Sequence, residues 1–138
     1  MPMSERAAVP HAVERGLLLV IAGLSLGNGA LMMLAPQPWY LCIANPQRAA
    51  LFNAHFVADA GAAYLSVGAA LLWAALRPAY AWPLVVIALL FSALHGGYHV
   101  YEYASFGNPT RYLVIEAFGI WAPVLILALV ALRLRPRG

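Results

Sequence analysis

The sequence has no lysine and a single cysteine, and charged residues fill only 9% of its 138 positions. A lone Cys42 excludes an internal disulfide and any CxxC redox or zinc motif. There is no GxGxxG, no P-loop and no Ser–His–Asp pattern, which sets aside nucleotide chemistry and acyl transfer. The formal charge of +3 comes from eight arginines against five carboxylates. So small an excess fits membrane topology and leaves no footprint for nucleic acid. Repeats, low-complexity runs and linkers are absent as well, and the length suits one domain, 1–138.

What the chain has in abundance is apolar surface. Hydrophobic residues make up 64% of it, more than a soluble domain of this length can hide. Four apolar runs, 13–35, 55–76, 80–101 and 112–132, each reach the ~20 residues that a helix needs to cross a bilayer. The first is longer than a signal-peptide core and reads as a retained helix. Pro36-Gln37-Pro38 ends it, Arg77-Pro78 makes a tight hairpin between the second and third runs, and Phe106-Gly107-Asn108-Pro109 turns the chain into the fourth. The long connection from Pro36 to Asn53 carries Trp39, Tyr40, Leu41 and Ile43, which suit a short helix lying at the membrane–water boundary. The expected fold is all-α, a four-helix transmembrane bundle. Arg6, Arg15, Arg77, Arg133, Arg135 and Arg137 fall on the side of the termini, and only Arg48 and Arg111 fall on the other. The positive-inside rule then puts both termini in the cytoplasm of a bacterial inner membrane.

The scarce polar residues are placed unevenly. His55, Asp59, His95, His99, Glu102 and Glu116 all lie within or at the ends of apolar runs, and with Asn28 they share the half of the membrane away from the termini. His55 and Asp59 are i and i+4, as are Tyr112 and Glu116, while Ser92, His95, His99 and Glu102 make one stripe. Small residues flank these stripes: Gly23 and Gly27 on the first helix, Gly61, Ala62 and Ala63 on the second, Gly96 and Gly97 on the third. Such residues let membrane helices approach closely. Ionisable groups are costly in hydrocarbon, so they usually face a protein interior where they pair, bind something or move protons.

Imidazoles and carboxylates on facing helices are first-row metal ligands. The candidate set is His55, Asp59, His95, His99 and Glu116, the last as ligand or as outer partner of a ligand. Copper, iron and zinc all accept such donors, and Met32 and Met33 near that end of the first helix tilt the choice toward copper. Two other readings stay open. The same residues can form a structural hydrogen-bond network, or a proton path or haem site with His55 and His99 as axial ligands. Glu14 and Arg15 read as an interfacial charge pair, and His11 as a solvated residue.

The segment Phe52-Asn53-Ala54-His55-Phe56-Val57-Ala58-Asp59-Ala60-Gly61-Ala62-Ala63-Tyr64-Leu65, with Leu94-His95-Gly96-Gly97-Tyr98-His99, resembles small bacterial four-helix membrane proteins that are broadly DoxX-like. Ala58 stands where an arginine often precedes the aspartate in that group. The resemblance implies a four-helix bundle and association with membrane redox complexes. The expected function is therefore a small metal-binding membrane protein, an accessory subunit of a redox or oxygenase assembly. Its expected partners are the lipid bilayer and a larger membrane complex or a second copy of the chain. The alternatives are a stand-alone metal-dependent oxidoreductase and a purely structural subunit.

Overall fold

The computed structural model describes residues 10–43, 52–106, 114 and 116–136. The helices are α1 (Ala12–Leu34), α2 (Pro36–Ile43), α3 (Ala54–Leu76), α4 (Ala81–Phe106) and α5 (Ala122–Leu134). A 3₁₀ turn, Pro78–Tyr80, leads into α4, and a π turn, Ala117–Trp121, leads into α5. Four of the helical segments are long and apolar enough to cross a membrane, which makes this a multi-pass membrane protein.

Local chemistry sets the ends of these helices. Ala35 and Arg77 each precede a proline, and both leave the helical region (φ −141°, ψ 58° and φ −131°, ψ 84°). Proline's ring disfavours helical backbone in the residue before it. Asn53 starts α3 as its N-cap, its side-chain oxygen accepting from the Phe56 amide at 3.1 Å. A short helix follows the first span, as expected: α2, which has no buried residue. The third span runs further than expected, to Ser105 rather than Tyr101. Its last turn is rich in tyrosine, which hydropathy alone does not count as apolar.

The chain runs up and down, with α1 against α3, α3 against α4, and α4 against α5. The α1–α3 contact is the most extensive and α1–α5 the least. All residues of the continuous core belong to the half nearest the termini. They include Leu18, Leu71, Val85, Leu127 and Val130, with small Ala22, Ala74 and Ala88 between them. The polar layer occupies the other half.

Close approach of α1 and α3 depends on two glycines facing each other. A Cβ on Gly29 would stand 2.6 Å from the Gly61 carbonyl oxygen, and one on Gly61 would stand 2.9 Å from the Gly29 oxygen. Gly68 makes a third such point against Leu26. Gly23, Gly27 and Gly97, expected to serve the same purpose, face open space. Gly29 and Gly68 take their place, because the helix rotation set by Leu18, Ala22 and Ser25 turns Gly23 and Gly27 outward.

Candidate functional site

Residues from three spans meet in the polar half. Tyr64 lies near the middle of α3, and its hydroxyl is 3.0 Å from His95 Nε2 on α4. One turn further along α4, His99 Nδ1 is 3.2 Å from Glu116 Oε1 on the fourth span. The His95 and His99 rings meet edge to face with centroids 4.8 Å apart, as i, i+4 spacing on one face requires. The result is a continuous row, Tyr64–His95–His99–Glu116. The His99 and Glu116 side chains are 25% and 15% exposed, so this pair is largely withdrawn from the surroundings.

Apolar and aromatic contacts hold the row in place. The Phe91 and His95 rings stack within 2° of parallel, and Tyr64 meets both edge-on at 5.5 and 5.8 Å. Gly96 lets the π turn approach α4: a Cβ there would stand 3.2 Å from the Trp121 ring. Pro123, just past the π turn, has no N–H to offer the Gly119 carbonyl. The ladder widens, and Ala122 donates to the Ala117 oxygen instead. An inserted residue rotates everything before it by about 100°, so this turn decides the direction of Glu116.

Three of the five expected ligands are therefore gathered: His95, His99 and Glu116. His55 and Asp59 are not with them. They lie 3.4 Å apart on the outward face of α3, with side chains 88% and 66% exposed. The reason is geometric. α3 turns Gly61 and Gly68 to α1 and Tyr64 to α4, and the remaining face, with His55, Asp59, Ala62 and Ser66, points away from the bundle. Among the described residues, no group of three or more His, Cys, Asp or Glu side chains is arranged around a single metal position.

Other expected members of the layer are engaged elsewhere. Asn28 accepts a hydrogen bond from Trp39 Nε1 at 2.8 Å and lies 3.5 Å from Met32 Sδ, so it anchors α2 to α1. Met32 is buried against α3 beside Gly61, while Met33 is exposed. Ser92 donates to the Ala88 carbonyl of its own helix at 2.8 Å. Glu102 is half-buried on α4, next along the stripe from His99. Arg48, Arg111 and Tyr112 lie outside the described residues.

Two features escaped the sequence reading. Tyr64 is the first; its signal was a tyrosine in mid-span, away from the boundary belts that tyrosine usually occupies. The second is the partner of Glu14. Glu14 does not pair with Arg15, since neighbours in a helix point in different directions. It reaches Arg133 on α5, with Nη1 and Oε1 2.8 Å apart.

Compared with known proteins, the chain matches no family model, no curated protein and no solved structure.

Proposed function

We propose that this protein is a small inner-membrane subunit that presents two imidazoles, His95 and His99, to a first-row transition ion. The observation that carries this reading is the His99–Glu116 contact at 3.2 Å. Metal-binding histidines commonly donate one ring N–H to a carboxylate, which fixes the tautomer and leaves the lone pair on the other nitrogen. With Nδ1 donating to Glu116, His99 would offer Nε2. Tyr64 orients His95 in a comparable way from α3. Imidazole donors suit zinc, copper and iron alike.

Two imidazoles do not complete a coordination sphere, which favours an accessory subunit over an enzyme acting alone. The outward face of α3 supports the same reading. A carboxylate facing hydrocarbon is costly, and Asp59 with His55 makes a polar patch that a partner helix, or a second copy of the chain, would cover. The arginine distribution supports an orientation with both termini in the cytoplasm and the imidazoles in the outer half of the membrane.

Elemental analysis after mild solubilisation from native membranes tests the proposal. Wild-type protein should carry a transition metal, and the His95→Ala/His99→Ala double variant should lose it while keeping its helical content. A second reading is a metal-free polar network, favoured because each imidazole already has a hydrogen-bond partner from another span. Metal-free wild-type protein together with loss of assembly in the double variant would establish that reading instead.

A further inference from the structure

The face of α3 that points away from the bundle carries a regular stripe. His55, Asp59, Ala62, Ser66, Ala69 and Trp73 are all exposed, and their spacings alternate between four and three residues. That period keeps one seam of a helix facing a partner along its whole length. The middle of the seam is made of small side chains, which let membrane helices approach closely. Ser66 turns its hydroxyl back to the Ala62 carbonyl at 2.9 Å, so its one donor is already satisfied. Toward one end, in the second turn of the span Ala54–Leu76, Asp59 stands 3.4 Å from His55 with its side chain 66% exposed. A carboxylate facing hydrocarbon is costly, and such groups usually turn to a protein neighbour.

We propose that this seam is the interface of a parallel homodimer, α3 against α3 about a two-fold axis along the membrane normal. The inference rests on the reading above in which a partner covers His55 and Asp59, and it does not depend on a metal. Six arginines on the side of the termini against two on the other favour one orientation for every copy, so identical spans run parallel. In parallel packing of this kind, a side chain from one helix fits between the partner's residue of its own layer and the one a layer before. Asp59 then sits beside the partner's His55, and by symmetry the partner's Asp59 sits beside His55. The two carboxylates of the shared layer are met by two imidazoles with N–H donors for them. This self-complementarity selects a second copy, because a two-fold interface uses the same patch on both subunits. Acid and base lie one turn apart on one seam, so an identical face answers both. A foreign helix would have to supply both at the matching register.

The test uses the full chain in its native membrane, in a Cys42→Ser background with one cysteine introduced at a time. Oxidation should give disulfide-linked dimers at Ala62→Cys and at Ala69→Cys, because a two-fold seam brings identical positions within the ~7 Å that a disulfide spans between Cα atoms. Leu24→Cys, exposed on α1, should give none. Linkage at both seam positions also requires parallel packing, since an antiparallel pair aligns only its midpoint with itself. Reversible association is read by energy transfer between two labelled pools of the protein in proteoliposomes. Ala62→Phe, projecting from the exposed face, should abolish it. Asp59→Ala should raise the dimer dissociation constant about tenfold, the scale of two lost polar contacts between membrane helices. Both substitutions make an exposed membrane face more apolar, so helical content should be unchanged. No linkage along the seam, a wild type that stays monomeric at every protein-to-lipid ratio, or association unchanged in both variants would overturn the inference. A dimer without metal supports this inference and removes the metal reading, and a metal-binding monomer does the reverse.

Discussion

His99 Nδ1 lies 3.2 Å from Glu116 Oε1, joining α4 to the start of the fourth span at the end of the Tyr64–His95–His99–Glu116 row. A π turn starts one step after Glu116, and Gly96 lets that turn come close. A backbone irregularity and a missing side chain thus set the aim of one carboxylate. If the imidazoles hold a metal, removing the charge at position 116 should matter without removing a ring. Glu116→Gln should weaken metal affinity 10- to 100-fold by competitive chelator titration, as changes to outer partners of metal ligands typically do at about that scale. Unchanged affinity would remove Glu116 from the site.

Tyr64→Phe should act locally. It deletes the hydroxyl that meets His95 Nε2 and keeps the ring that packs on Phe91. The stability cost should be about 0.6 kcal/mol, the average for such contacts between membrane helices. Nitrogen NMR of labelled histidine should show the His95 resonances moving and those of His99 staying in place. Equal movement of both would mean that the row responds as one unit.

Gly61→Val should damage the α1–α3 contact. The new Cβ meets the Gly29 carbonyl oxygen at 2.9 Å and Met32 Cβ at 2.8 Å, and backbone cannot move aside as a side-chain tip can. A loss of about 1–3 kcal/mol is expected from overpacking of this kind. Gly23→Val, facing open space, serves as the control and should unfold at the same denaturant concentration as wild type.

Pro123→Ala tests the cause of the π turn. With an N–H restored at position 123, the regular ladder can close, and Glu116 should rotate away from His99. In a Cys42→Ser background, cysteines introduced at positions 99 and 116 should cross-link readily when Pro123 is present and poorly when it is replaced. Equal yields would show that packing by Trp121, not the proline, maintains the turn.

Orientation is open to a direct test. The six arginines on the side of the termini predict that a reporter fused after Gly138 is active only in its cytoplasmic form. Periplasmic activity would move the imidazole layer to the inner leaflet and the Glu14–Arg133 pair to the outer one.

The sequence by itself determined the four spans, most of their limits and the polar half of the membrane. Each is a one-dimensional property: apolar run length, prolines after Ala35 and Arg77, and the positions of histidine and carboxylate along the runs. The i, i+4 spacing also placed His95 with His99 and His55 with Asp59, because residues that far apart share a helix face. Which faces meet was decided only by the tertiary structure. Gly29, Gly61 and Gly68 mark the faces on which α1 and α3 come close, and that packing turns His55 and Asp59 away from the bundle. The same packing brings Tyr64 to His95, and the π turn brings Glu116 to His99. Glu14 pairs with a residue 119 positions away for the same reason. Local pattern fixes what each helix can present, while close packing between helices selects which of those faces find each other.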